Sequence, residues 1–197
     1  RSVAETLAAP DASLVDTAEI QAKIDGLDAR NWAARPDRVA VLRKALAGSG
    51  SIIRKALAET AAFDMTPQTL PGPTGESNRL SFYAKGVTLC LGPTAEIAVA
   101  QAAQALGAGC AVIIVAPEVS KLAQPLVAAG APLALLDGTI AAETLTALQH
   151  IAVVAAAGVS EWTRALRLAL AQRPGAIISL ENQKIAPERY VLERHLC

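Results

Sequence analysis

Up to about residue 66 the apolar positions recur at three- and four-residue intervals; from residue 86 onward they come in unbroken runs. The first pattern predicts helices. The segment DTAEIQAKIDGL has its acidic residues early and Gly26 at its end, as a helix start and stop require. Residues 39–47 place Val39, Leu42, Ala45 and Leu46 on one face, and SIIRKALAETAAF places Ile52, Ile53, Leu57 and Ala61 at helical spacing. Gly48 and Gly50 separate the two. No strand is expected in this part.

The second pattern predicts strands at 86–92, 110–116, 131–137, 150–158 and 176–181. Helical stretches lie between them: TAEIAVAQAAQALGAG, stopped by Gly107 and Gly109; EVSKLAQPLVAAG, kinked or stopped near Pro125; GTIAAETLTALQ; and SEWTRALRLALAQRPG. Continuous apolar strands need cover on both faces, and strand–helix alternation with short links gives parallel pairing. The expected fold is α/β: a Rossmann-like, doubly wound, mainly parallel five-stranded sheet preceded by a helical segment. The expected division is a helical lead-in over 1–68 and a Rossmann-like domain over 69–197. The closing PERYVLERHLC fits either a sixth strand or a helix.

Composition adjusts this picture in three ways. Hydrophobic residues make up 52% but aromatics only 3%, and alanine fills roughly a fifth of the chain, so helices should pack closely with little ring stacking. Eighteen acidic residues balance 18 basic ones, which argues against a nucleic-acid partner. Cys90, Cys110 and Cys197 are widely spaced, with no Cys/His pattern for zinc, and read as reduced thiols of a cytoplasmic protein. The longest apolar run, Ile151 to Val159, is too short to span a bilayer. The only methionine is Met65, and the chain reads as a piece of a larger polypeptide, truncated at its C-terminus.

In a doubly wound sheet the chemistry lies beyond the carboxyl ends of the strands. After the first strand stand Gly92, Pro93, Thr94, Ala95 and Glu96. A dinucleotide fingerprint needs three glycines there. Pro93 lacks an N–H for phosphate, and Glu96 puts a negative charge in the first helical turn, where an anion would otherwise sit. Glu118 after the second strand could take a ribose hydroxyl only if those glycines were present. Asp137-Gly138-Thr139 reads as a turn and helix cap, and Ala155 to Gly158 offers nothing to titrate. Asp137 and Glu181 would form a carboxylate pair only if their strands were close. His150 opens a strand, at the wrong end for catalysis, and His195 lies near the terminus, so no Ser–His–acid or Cys–His set is expected. Trp32 and Trp162 are expected to serve packing or a domain contact. Catalytic, cofactor-binding and metal-binding residues are accordingly expected to be none.

The stretch LPGPTGESN, residues 70–78, has no Lys after its second glycine and precedes the first long apolar run, so it does not read as a phosphate loop. It reads as a rigid, turn-rich crossing.

That stretch, together with KGVTLCLG and ERYVLERHL, resembles the C-terminal region of the long forms of proline utilisation A (PutA), bifunctional proline dehydrogenase / L-glutamate-γ-semialdehyde dehydrogenases. The resemblance implies an aldehyde dehydrogenase superfamily-like, noncatalytic domain. Such a domain packs on the aldehyde dehydrogenase domain of the same polypeptide and helps close a substrate-channelling tunnel. FAD and NAD are implied for the parent enzyme, none for this segment. The implied partners are the proline dehydrogenase and aldehyde dehydrogenase domains, with self-association left open. The dehydrogenase nucleophile motif has no match at Cys90, Cys110 or Cys197, so no catalytic residue carries over. The family's further tail beyond ERYVLERHL is missing. The competing expectation is an independent nucleotide- or cofactor-binding module using Thr94, Asp137 and Thr139.

Overall fold

The computed structural model describes residues 5–72 and 77–196. Four helices come first: α1 (Thr17–Asp25), α2 (Arg30–Ala33), α3 (Arg38–Ala45) and α4 (Ser51–Ala62). Strands β1 (Gln68–Leu70) and β2 (Asn78–Ala84) follow. The alternating part then runs β3 (Val87–Gly92), α5 (Ala95–Ala108), β4 (Ala111–Ala116), α6 (Val119–Ala128), β5 (Leu133–Asp137), α7 (Thr144–Ala147), β6 (Val153–Ala156), α8 (Glu161–Ala171) and β7 (Ser179–Glu181). A 3-10 turn at Pro187–Tyr190 leads into β8 (Val191–Leu196).

The five strands expected from the apolar runs form one wholly parallel sheet in the order β5-β4-β3-β6-β7. This is the Rossmann order, with the reversal between β3 and β6. The three central strands are the most continuously apolar and the most buried, while β5 and β7 at the edges are half-buried. Alternate residues feed two cores. Cys90, Val112, Ile114 and Ala155 face the side covered by α3, α4, α5 and α6. Leu89, Ile113, Val115 and Val154 face the side covered by α1 and α8.

Helix α5 runs through the middle, buried from Ile97 to Ala108. Its alanines let α4 approach closely. A Cβ at Gly107 would lie 2.4 Å from the Thr60 side chain of α4. Gly107 is therefore a packing contact inside the helix. The helix stops at Gly109 alone, in the left-handed conformation with φ 95°. Trp32 is buried on the same side and donates from Nε1 to the Leu106 carbonyl at 2.8 Å, the packing role expected of it. Trp162, in α8, packs half-buried against the other core.

Four features differ from the sequence pattern. Helix α6 runs unbroken through Pro125. Pro125 is on the exposed face, where water can satisfy the Lys121 carbonyl that it leaves free. The third crossover helix is reduced to the single turn α7, and α1 supplies the missing cover. Ile20 and Ile24 of α1 pack on β4 and its neighbours, and Gln21 accepts from the Gln149 amide at 2.7 Å. The closing segment is a strand, but it joins a second, antiparallel sheet, β1-β2-β8, that the sequence pattern did not announce. Finally, Ile177 is not inside a strand but fully exposed. Of the 70–78 loop, residues 73–76 lie outside the described residues; Leu70 and Asn78 on its flanks pair as β1 and β2.

Candidate functional site

The carboxyl ends of the parallel strands are where such a sheet holds ligands. Here the turn after β3 is bonded inward. Gln101 of α5, 0% exposed, accepts from the Gly92 amide at 3.0 Å and donates to the Gly92 carbonyl at 3.4 Å. The same carbonyl accepts from the Ala157 amide at 2.7 Å. The amide and the carbonyl of Gly92 thus both have partners within the domain. Pro93 is buried, and Thr94 caps α5 by accepting from the Ile97 amide. The Glu96 carboxylate lies against Gly50, the N-cap of α4, so that a Cβ there would be 2.7 Å from Oε1. Its charge sits beside two helix N-termini, where it is stabilised.

Glu118 turns the chain into α6 in a left-handed conformation with φ 54°. Its side chain caps nothing; the α6 N-terminus is capped from β5, where Asp137 Oδ1 accepts from the Ser120 amide at 2.9 Å. Hydrogen bonds from the Ser120 side chain and amide hold the Asp137 carboxyl below its usual range. Asp137 and Glu181 stand on the two edge strands, four strand spacings or about 19 Å apart, so they form no pair. Glu181 faces Arg189 at 3.7 Å instead.

A segment that sequence reasoning missed crosses this rim. The Glu5 carbonyl accepts from the Val159 amide beyond β6, while Ser13 and Val15 exchange backbone bonds with Thr139 beyond β5. Thr139 is therefore engaged by the strap rather than starting a helix. Leu7 fills the space over Gly158: a Cβ there would lie 2.8 Å from Leu7 Cγ. Lys184 anchors the strap at Glu5 with a 2.6 Å ion pair. Eight residue steps can reach about 27 Å, but three strand spacings need only about 14 Å. The strap bows, leaving a groove of about 820 Å³ against the β3–α5 and β4–α6 turns. Its walls include Pro10, Pro93 and Pro117, and its charged residues are Asp11, Glu96, Glu118 and Lys121. Three acids to one base disfavour an anionic ligand.

The remaining candidates lie elsewhere. His150 is at the amino end of β6, exposed, 3.5 Å from Asp25. His195 is exposed on β8 opposite Leu80. Cys90 and Cys110 are buried, and burial pushes both thiols up, away from nucleophilic thiolate. Cys197 lies outside the described residues. Among the described residues no cluster of His, Cys, Asp or Glu could hold a metal ion, and no helix is long and apolar enough to cross a membrane.

The fold is Rossmann-like and of the aldehyde dehydrogenase type. Solved structures of two kinds share it. The chain superposes on proline utilization A from Bradyrhizobium japonicum with TM-score 0.69 and 26% identity, over 85% of this chain and 22% of that one. An aldehyde dehydrogenase from Brucella melitensis biovar abortus gives 0.64 and 25%, over 86% of this chain and 44% of that one. An NAD-dependent benzaldehyde dehydrogenase from Corynebacterium glutamicum gives 0.65 at 18%, over 86% and 47%, and shares the fold alone. The chain thus spans about a fifth of the PutA chain and under half of the two aldehyde dehydrogenases. No protein-family model and no curated protein matches the sequence.

Proposed function

We propose that this chain is the noncatalytic C-terminal domain of a long-form PutA, a bifunctional enzyme oxidising proline to glutamate. The observation that carries the reading is the turn after β3. Gln101 and Ala157 occupy the Gly92 backbone, Pro93 removes a donor, and Glu96 supplies the negative charge a phosphate would bring. The likeness to PutA and the 70–78 loop resemblance support the parentage. In this reading residues 1–68 are a helical lead-in and 69–197 the Rossmann-like unit. The domain packs on the aldehyde dehydrogenase domain of the same cytoplasmic polypeptide and helps close the channelling tunnel. FAD and NAD belong to the catalytic domains.

Two measurements test it. Calorimetric titration of the full chain with NAD is expected to give no heat of binding; micromolar affinity would favour the nucleotide-binding module instead. Deletion of 69–197 from the parent enzyme is expected to impair coupled turnover of proline to glutamate. Unchanged coupled kinetics would remove the structural role.

A further inference from the structure

At the opposite end of the sheet, where α8 ends and the chain turns into β7, lies a pocket of about 430 Å³. Leu170, Ile178 and Leu180 give it an apolar wall, and among the described residues Arg167 and Arg173 are its only charged ones. Among the described residues neither arginine has a carboxylate within ion-pair distance. Arg173 Nη1 donates to the Leu145 carbonyl, which fixes the guanidinium. Its Nε is buried with no acceptor, and Nη2 has none among the described residues either. That leaves the Nε–Nη2 edge, the edge that takes both oxygens of a carboxylate side by side. A buried donor without an acceptor is rare in folded proteins and calls for a physical account. At the mouth Ile177 is fully exposed, an apolar side chain with nothing to pack against.

We propose that this pocket binds an aliphatic monocarboxylate, with the carboxylate on the free edge of Arg173 and the hydrocarbon against Leu170, Ile178 and Leu180. Arg167 supplies the second positive charge. Nε is buried, so the turn at Pro174–Ile177 moves as the acid enters. Gly175 has nothing within 4 Å of where its Cβ would be, so the turn has room. Among the described residues no acid lines the pocket to receive an ammonium group. The site therefore selects simple acids against amino acids of the same length.

Hexanoate, norleucine and hexanol, titrated into the full chain and followed by amide chemical shifts, separate the alternatives. Hexanoate is expected to bind at least tenfold more tightly than either of the others, shifting the amides of Leu170 and residues 175–180. Arg167→Gln, at an exposed helical position, is expected to weaken hexanoate several-fold with an unchanged melting temperature. Arg173→Lys keeps a charge but loses the fork, and is expected to weaken hexanoate more than Arg167→Gln does. Equal binding of hexanoate and hexanol, equal binding of norleucine, shifts located elsewhere, or no saturable binding would each overturn the proposal. None of these outcomes depends on whether the chain is part of a PutA.

Discussion

The two sheets of this molecule are built on different terms. In the parallel sheet, β3, β4 and β6 are covered on both faces, and nearly all of their apolar side chains pack in one of two cores. In the antiparallel sheet, β8 pairs among the described residues with β2 on one edge, and every residue from Leu192 to Leu196 is exposed. The first holds itself together by burial. The second is maintained chiefly by ladder hydrogen bonds along one edge, and its stability is local. Function follows the same division. The parallel sheet fixes the geometry of the strand-end rim, whereas the antiparallel sheet presents Tyr83, Leu192 and Leu196 to whatever lies outside.

Substitutions can break that contrast, beginning with the largest effect. Ile113→Ala in β4 leaves a cavity in a core with no slack and is expected to cost about 2–5 kcal/mol, read by denaturant unfolding. Gly107→Val forces α4 and α5 apart at Thr60, with an expected loss of about 1–3 kcal/mol on the same measurement. Gln101→Leu leaves the buried Gly92 amide without its acceptor and is expected to cost about 1–3 kcal/mol. It also frees that amide, so NAD titration of this variant is the most sensitive check on the role given to Gln101.

Asp137→Ala removes the cap of α6, an expected loss of about 0.5–1 kcal/mol. The effect has a pH signature. The folded carboxyl titrates below its unfolded value, so its contribution is complete above about pH 4 and fades as the pH falls through the folded value. Wild type and variant should converge in stability in acid; a constant gap would show that the cap acts without its charge. Leu192→Ala, exposed on β8, is expected to change stability by less than about 0.5 kcal/mol. A loss comparable to that of Ile113→Ala would erase the distinction between the sheets.

The same contrast explains what could be read in advance. Strands β3, β4 and β6 were legible because a strand buried on both faces is apolar at nearly every position, Thr88 being the exception here. Strand β2 reads NRLSFYA, mixed in polarity because half of it faces outward, and its partner β8 lies more than 100 residues away. The crossover at 138–152 has helical spacing but forms one turn, because α1 already covers that face. At the rim, Pro93 and Glu96 were informative by type alone. Gln101 was not singled out, although a glutamine inside an alanine-rich helix is a signal: burying it requires amide partners, and the Gly92 turn provides them. The strap had no signal, since LAAPDA has no helix or strand period and a single charge, Asp11.

The sequence by itself determined the layers, because apolar runs and amphipathic spacing each have one favourable place to go, and it determined a strand-end turn poor in phosphate chemistry. Only the tertiary structure decided strand order, and with it the separation of Asp137 from Glu181. It also decided which segment covers the rim and which arginine edge is left without a partner. Those outcomes depend on contacts between distant residues, and no local pattern encodes which distant groups will meet.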